Sequence, residues 1–516
     1  MQKDIGRQTL GDLLRRTRQR FPKKLAIRCG ETEWTYAQFD DICNRLAAGL
    51  AARNIQVGDR VAIIARNSHA FAALRFALAR LGAILVPINF MLSPDEARYI
   101  LEHSGARLLC VDSGFAVLGQ DAAVGTDVQE VIWFPSENAT EPVTGLLRFD
   151  ELLTSRELPQ VELDGRMLAQ IVYTSGTESK PKGAMLTHEA VIAEYVTCLV
   201  DAEIAEHDVI LHALPLYHCA QLDVFFGPGI YVGASNIITA APTPDNILAL
   251  LDKHGITSFF APPTVWIGLL RSPQFDKVNL QALCKGYYGA AIMPVEVLKE
   301  IQQRLPQVRL WNLYGQTEIA PVATILKPHD QLRKAGSAGR PALNIETRVV
   351  DDEMRDVAVG QVGEIVHRSP QLLQGYYRDE ERTQSAFAGG WFHSGDLGVL
   401  DDEGYLTVVD RKKDMIKSGG ENVSSREVEE FLYRIPGVSE VAVIGLADPK
   451  WIEAVTAVVV IKAGHTLSEA EILQACTGHL STFKTPKRII FTDSLPKNPS
   501  GKLLKRELRT RLVETA

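Results

Sequence analysis

The sequence predicts an α/β fold: a large N-terminal body of two βαβ-type layered sheets plus a small β subdomain, followed by a separate small α+β C-terminal domain. Three observations carry this expectation. Short β-branched or aliphatic runs alternate with helical patterns through the first third of the chain and again after residue 187, the rhythm of parallel strands joined by helices. From about Gly336 to Asp410 that rhythm gives way to short strands punctuated by Gly339, Gly360, Gly363, Gly389, Gly390 and Gly404, the mark of a smaller β unit. At 516 residues, the chain is also longer than one hydrophobic core usually covers.

In the first third, Val61 to Ala65 reads as a strand, His69 to Arg80 as a helix, and Ile84 to Asn89 and Arg107 to Val111 as further strands. The helix between the last two has a clear start: Ser93 supplies the N-cap, Pro94 the first turn, and Glu96 the carboxylate that reaches back to the cap. After residue 187, the runs Val209 to Leu214, Ser235 to Thr239, Thr257 to Phe260, Gly286 to Ala290 and Val308 to Tyr314 predict the strands of a second sheet. The charged stretch Asp410, Arg411, Lys412, Lys413, Asp414 marks a boundary. The expected division is therefore an N-terminal domain over residues 1–410, with 336–410 as its β-rich part, and a C-terminal domain over 414–516.

With 46% hydrophobic and 23% charged residues, the chain has ample core material, and disorder is not the expectation. A formal net charge of −8 argues against nucleic acid, which needs a basic face. The basic cluster Arg15, Arg16, Arg18, Arg20, Lys23 and Lys24 reads as a solvated helix face, with peripheral contact to anionic lipid as the alternative. Seven scattered cysteines without a Cys-x-x-Cys pair speak against a disulfide framework or zinc site and for a reducing compartment. There is neither a secretory leader nor an apolar run of membrane-spanning length, so the expectation is a soluble cytoplasmic protein without a transmembrane segment, compatible with a homodimer.

The strongest chemical signal is IVYTSGTESKPKG, from Ile171 to Gly183, an apolar strand that runs into hydroxyls, glycines and lysines. A loop of this kind can wrap a triphosphate: Thr174, Ser175, Thr177 and backbone N–H groups, that of Gly176 included, donate hydrogen bonds, and Lys182 brings positive charge. It lacks the Gly-Lys-Ser/Thr ending of a Walker loop, and on its own a glycine-containing turn explains it equally well.

TSGTESKPKG resembles the phosphate-binding signature of the adenylate-forming superfamily, which includes acyl-CoA synthetases, adenylation domains of peptide synthetases and firefly-type luciferases. This chain has Glu178 and Ser179 where the usual form has Thr-Gly, which sets a carboxylate beside the phosphate loop. Further segments match in the family's order. Tyr314, Gly315, Gln316, Thr317 and Glu318 match its aromatic-Gly-x-Thr-Glu segment. That match implies adenine stacking for Tyr314, phosphate contact for Thr317 and magnesium coordination for Glu318, a carboxylate being the hard oxygen ligand that Mg2+ takes. Trp391, Phe392, His393, Ser394, Gly395 and Asp396 resemble its aromatic-x-Thr-Gly-Asp segment, with Ser394 in place of threonine. Asp396 can then accept from both ribose hydroxyls. Arg411 matches the ribose-binding arginine, and Lys413 falls where the family places its hinge, here 411–413. Lys417, Ser418, Gly419, Gly420 and Glu421 resemble the glycine-containing loop that approaches the thiol of coenzyme A, where small residues let backbone close on a narrow tunnel. Pro496 to Lys502 match the terminal segment, whose last lysine sits as an ammonium between the carboxylate and the α-phosphate and carries adenylation.

The resemblance extends from about Trp34 to Lys502. It implies an acid–thiol ligase that uses ATP and Mg2+ to adenylate a carboxylic acid and passes the acyl group to coenzyme A. The implied nucleotide site comprises Thr174, Ser175, Gly176, Thr177, Lys182, Gly289, Ala290, Ala291, Tyr314, Gly315, Gln316, Thr317, Asp396, Arg411 and Lys502, and catalysis falls to Lys502, Glu318, Thr174 and His218. The implied acyl pocket takes Tyr217, His218, Gly289, Ala290, Ala291, Gly315, Pro321 and Val322, mostly small or apolar, which favours a hydrocarbon body. His218 reads as a wall or gate, because a carboxylate already ionised at pH 7 needs no base. Gln221 and Asp223 follow closely and can meet a polar substituent. The expected substrate is a medium- or long-chain fatty acid. Aryl acids such as cinnamates, and a stand-alone enzyme loading a carrier protein in trans, are the alternatives.

Overall fold

The computed structural model describes residues 5–137, 141–154, 157–158, 160–174, 180–291, 293–412, 414–418, 421–477, 479–497 and 503–514, with the backbone alone for Arg506, Val513 and Glu514. The chain divides into two compact units, one of residues 1–346 and 368–388, the other of 347–367 and 389–516.

The first unit holds a nine-stranded sheet in the order Arg340–Pro341, Val322–Leu326, Arg309–Gly315, Lys285–Gly289, Ser258–Phe260, Val209–His212, Ser235–Ile238, Leu25–Cys29 and Thr32–Thr35. The strands from Arg309–Gly315 to Leu25–Cys29 are all parallel, and such strands are covered on both faces; every residue of Lys285–Gly289 is buried. The helices Pro244–Lys253 and Pro263–Arg271 start with proline in the first turn, where its missing N–H costs nothing. Their apolar faces, with Val295–Arg304, pack Leu248, Trp266, Leu269 and Leu298 against Phe259 and Leu310 of the strands.

An eight-stranded sheet completes the unit: Gly375–Tyr376, Lys182–Thr187, Leu168–Thr174, Ile84–Pro87, Arg60–Ile64, Leu108–Val111, Glu130–Trp133 and Leu147–Arg148. The helix His69–Leu81 is buried along its whole length. The cap on helix Pro94–Ser104 forms as its residues dictate: Ser93 Oγ accepts from the Glu96 N–H at 3.3 Å and the Glu96 carboxylate accepts from the Ser93 N–H at 2.9 Å. The strand expected to reach Asn89 stops at Pro87, a residue without the N–H a ladder needs.

In the second unit, Glu346–Val350, Gly363–Arg368, Phe392–Leu400 and Leu406–Arg411 form a four-stranded sheet. Its other sheet is built on the hairpin Val438–Asp448 and Ile452–Ile461, flanked by Ile416–Ser418, Glu421–Val423 and Arg488–Phe491. Alternation along the strand splits its side chains: Val441 and Val443 pack on Val428 and Leu432 of helix Ser425–Leu432, while Ala442 and Ile444 pack with Leu508 of helix Lys505–Glu514. The stretch 336–410, expected as one β-rich piece, is shared: 336–346 and 368–388 lie in the first unit, where Gly375–Tyr376 joins the eight-stranded sheet.

No described helix is long and apolar enough to cross a membrane. The N-terminal basic cluster is partly committed to the fold itself. Arg15 pairs with Asp12 at 2.9 Å, and Arg16 and Arg20 donate to the carbonyls of Arg7 and Tyr231 at 2.8 and 2.6 Å.

Candidate active site

Ligands of open parallel sheets bind beyond the carboxyl ends of the strands. The nine-stranded sheet delivers the expected residues to that edge: His218 follows strand Val209–His212, Gly289 to Ala291 close Lys285–Gly289, and Tyr314 to Glu318 close Arg309–Gly315. The last two strands are neighbours, with Gly289 opposite Leu313. A Cβ at position 289 would lie 2.5 Å from the Leu313 carbonyl oxygen, and one at 315 would lie 1.8 Å from that of Pro321. Close backbone approach, not turn freedom, requires both glycines. Ala290 (φ 64°) and Ala320 (φ 70°) hold left-handed conformations at the same edge, a strain of about 1–3 kcal/mol each that persists where the surroundings impose it.

His218 caps the short helix Cys219–Gln221, its Nδ1 accepting from the Ala220 N–H at 3.1 Å. Accepting there places the ring hydrogen on Nε2, so His218 offers a donor and not a base. Next to it, Cys219 Sγ lies 3.4 Å from Thr317 Oγ1, which joins the histidine segment to the Thr-Glu segment. Tyr217 is 7% exposed. Phe90 meets its ring edge-on at 5.3 Å and stacks on Phe115 at 4.9 Å. Burial pushes the Tyr217 phenol up, which keeps it neutral. Pro321 accepts from the Gln316 N–H at 2.9 Å, and Val322 opens strand Val322–Leu326 in a buried apolar cluster with Leu313 and Phe225.

At the phosphate hairpin, Thr174 and Lys182 face each other across the two strands; Ser175, Gly176 and Thr177, with Glu178 and Ser179, lie outside the described residues. The Lys182 ammonium sits 4.5 Å from the ring centroid of Tyr376, a cation–π contact. The Tyr376 hydroxyl donates to Glu318 at 3.0 Å. Glu318 is 8% exposed and is held there by a neutral donor. The buried side-chain nitrogen of Gln316 has no hydrogen-bond partner among the described residues.

In the second unit, Asp396 and Arg411 are a register pair of strands Phe392–Leu400 and Leu406–Arg411, with Arg411 Nε 2.6 Å from Asp396 Oδ1. Ser394 braces this segment, since its hydroxyl donates to the Ile365 carbonyl at 2.5 Å and accepts from the Asp396 N–H at 3.0 Å. Gly395 (φ 70°) supplies the left-handed turn between them. The Lys417 N–H donates to the Glu453 carboxylate at 2.7 Å, and Ser418 is fully buried. Lys413, Gly419, Gly420 and Lys502 lie outside the described residues.

One sequence reading needs correcting. Asp223, offered for a polar substituent, pairs with Arg75 at 2.8 Å inside the core and accepts from Gln170 at 2.7 Å and Tyr195 at 3.4 Å. An ion pair this deep holds its partners to each other, because separating them strands a charge. Gln221 is also buried; its side-chain nitrogen meets His212 Nδ1 at 2.7 Å, while its side-chain oxygen has no partner among the described residues.

Two residues went unnoticed in the sequence. Tyr376 was visible only as part of Gly375-Tyr376-Tyr377, a turn-like signal. Asn67, 4% exposed, accepts from the Leu216 N–H at 2.7 Å and donates to the carbonyls of Leu214 at 2.7 Å and Thr239 at 3.1 Å, which fixes the segment that leads to Tyr217 and His218.

Residues 14–377 match the AMP-binding enzyme family, and 427–502 match the AMP-binding enzyme C-terminal domain. The chain belongs to this family. It is an acyl-CoA synthetase of the AMP-forming type, within the adenylate-forming superfamily. It is 35% identical to an indoleacetate–CoA ligase of Aromatoleum aromaticum over 492 residues, 95% of each chain. It is 34% identical to a long-chain-fatty-acid–CoA ligase of Mycobacterium tuberculosis over 491 residues, 94% of each. The crystal structure of the anthranilate–CoA ligase AuaEII with anthranoyl-AMP matches with a TM-score of 0.90 at 26% identity, covering 99% of this chain and 98% of that one. These relatives act on aromatic and aliphatic acids alike, so the family leaves the fatty acid expected from sequence as one reading of two.

Proposed function

We propose that this acyl-CoA synthetase activates an aromatic carboxylic acid, with a medium- or long-chain fatty acid as the second reading. The observation that carries the first is the aromatic run of Phe115, Phe90 and Tyr217 beside His218. Edge-to-face partners of this kind favour an aromatic ring by about 0.5–1.5 kcal/mol beyond area burial. The likeness to ligases named for indoleacetate and anthranilate supports it. The second reading is favoured by the apolar surroundings of Val322 and by the similar long-chain-fatty-acid ligase.

In the proposed mechanism, a carboxylate oxygen attacks the α-phosphorus of ATP, the bond to the bridging oxygen breaks, and pyrophosphate leaves. The thiol of coenzyme A then attacks the acyl carbon, loses its proton, and expels AMP. Thr174, Ser175, Gly176, Thr177 and Lys182 hold the phosphates, Tyr314 covers the adenine, and Asp396 with Arg411 takes the ribose. Lys502 brings positive charge to the carboxylate and α-phosphate during adenylation, Lys413 is the hinge, and Lys417 to Gly420 approach the thiol. Mg2+ fits the donor set at Glu318: a carboxylate held by a neutral hydroxyl, with Thr317 beside it, offers hard oxygens. When bound, the ion supplies charge neutralisation of the phosphates.

Incubation with ATP, Mg2+, coenzyme A and a panel of acids, read by mass spectrometry, tests the reading. Thioester, AMP and pyrophosphate are expected, with aryl and arylalkanoic acids ahead of fatty acids. Faster turnover of fatty acids selects the second reading, and absence of AMP with every acid contradicts both. Lys502→Ala should slow adenylation by roughly 10²–10³ and leave conversion of supplied acyl-AMP to thioester intact; equal loss in both halves rules out the role given to Lys502.

A further inference from the structure

Between the Thr-Glu segment and strand Val322–Leu326, the backbone turns through the left-handed Ala320. The carbonyls on either side of this turn meet one side chain. Gln371 Nε2 donates to the Ile319 carbonyl at 3.3 Å, to the Val322 carbonyl at 3.1 Å, and to the Glu194 carboxyl. Its Oε1 accepts from Thr197 Oγ1 at 2.6 Å, and the two carbonyls, which can only accept, fix which way the amide faces. Glu194 closes the ring by accepting from the Val322 N–H at 3.3 Å. Two residues beyond the glutamine, the Leu373 N–H donates to the Glu318 carbonyl at 2.8 Å.

Gln371 and Glu194 are both fully buried, and burial of an amide and a carboxyl is costly unless each polar atom finds a partner. Here the partners include backbone groups of one loop, at Ile319 and Val322, beside Thr197 and Cys198 on the helix that carries Glu194. A loop with a left-handed alanine does not stay in that conformation unaided, because the strain is relieved by any local rearrangement. The geometry points to Gln371, held by Glu194 and Thr197, as a positioning residue that sets the 319–322 wall of the acyl pocket and with it the acids the enzyme accepts. This rests on the assignment of Pro321 and Val322 to that pocket. Gln371 touches no reacting atom; it acts through the loop.

Burial raises the Glu194 carboxyl well above the usual carboxylate range. Glu194→Gln therefore keeps the shape and an oxygen for Val322, while bringing two amide nitrogens into opposition. Gln371→Leu keeps the volume and removes every hydrogen bond that the Gln371 side chain makes. The test measures acid KM, ATP KM, melting temperature and the ratio of kcat/KM for an aromatic acid against a fatty acid, in the wild type and in Val322→Ala, Gln371→Leu and Glu194→Gln. Gln371→Leu should raise acid KM about tenfold and move the selectivity ratio, with ATP KM within about twofold of wild type, and Glu194→Gln should shift both in the same direction by less. If both clasp variants keep wild-type acid KM and selectivity and lose only melting temperature, the clasp is structural and the proposal fails. Should Gln371→Leu not fold, Glu194→Gln alone decides. Val322→Ala separates the two levels: selectivity that moves with Val322→Ala but not with the clasp variants overturns the clasp, whereas selectivity unmoved by Val322→Ala overturns the pocket assignment beneath it.

Discussion

Each unit carries one nearly buried carboxylate in a signature segment, and the two are held in opposite ways. Glu318, 8% exposed, accepts from the neutral hydroxyl of Tyr376. Asp396, 4% exposed, accepts from the guanidinium of Arg411 at 2.6 Å. The first is a carboxylate held by a neutral donor, a hard oxygen ligand of the kind a divalent cation takes. The second is paired with a guanidinium, and a carboxylate only accepts hydrogen bonds, the character that suits ribose hydroxyls. Similar burial with a different partner thus separates a candidate metal ligand from a candidate ribose acceptor, a distinction that the residue types alone do not make.

Breaking this contrast should have graded effects. The largest is expected for Glu318→Gln, which removes the charge but keeps the shape: adenylation should fall by roughly 10²–10³, measured as pyrophosphate release. Next is Asp396→Asn, which weakens a charge-assisted contact worth about 1.5–3 kcal/mol. ATP KM should rise by about tenfold or more, and the penalty for 2′-deoxy-ATP relative to ATP should shrink. Tyr376→Phe sharpens the comparison from the other side. Loss of one hydrogen bond to a carboxylate, about 1.5 kcal/mol, should lower adenylation by about tenfold while leaving the discrimination against 2′-deoxy-ATP as in wild type.

The smallest effect concerns stability. In the first unit, burial lowers the pKa of His69 and His212 to about 4 and that of His188 to about 3; in the second, it lowers that of His367 to about 4. These rings stay neutral when folded, whereas an unfolded chain takes up protons as pH falls through 6.5. Their contribution is therefore present above about pH 6.5 and is lost as pH falls toward 4, at about 1.4 kcal/mol per pH unit for each ring. Calorimetry between those limits should show the first unit weakening more steeply than the second, and His212→Asn should flatten the slope.

Much of the fold was legible because periodicity and caps are local. The helix capped by Ser93 and Glu96 and the strands at Val209, Lys285 and Arg309 follow from patterns within ten residues or so. The order of signature segments located the candidate residues for the same reason. Partners brought from elsewhere were not legible. Tyr376 reaches Glu318 across 58 positions, Gln371 reaches Glu194 across 177, and Arg75 takes up Asp223 across 148. The Asp223 reading failed because sequence shows the carboxylate but not the guanidinium beside it, and burial then fixes which of its roles is open.

The contrast between the two carboxylates is tested most directly by titrating Mg2+ into Glu318→Gln and Asp396→Asn side by side, reading ATP binding by calorimetry together with pyrophosphate release. The account predicts that Glu318→Gln needs far more Mg2+ than wild type for both signals, while Asp396→Asn keeps the wild-type Mg2+ requirement and loses ATP affinity. An unchanged Mg2+ requirement in Glu318→Gln, or the same increase in both variants, would contradict it.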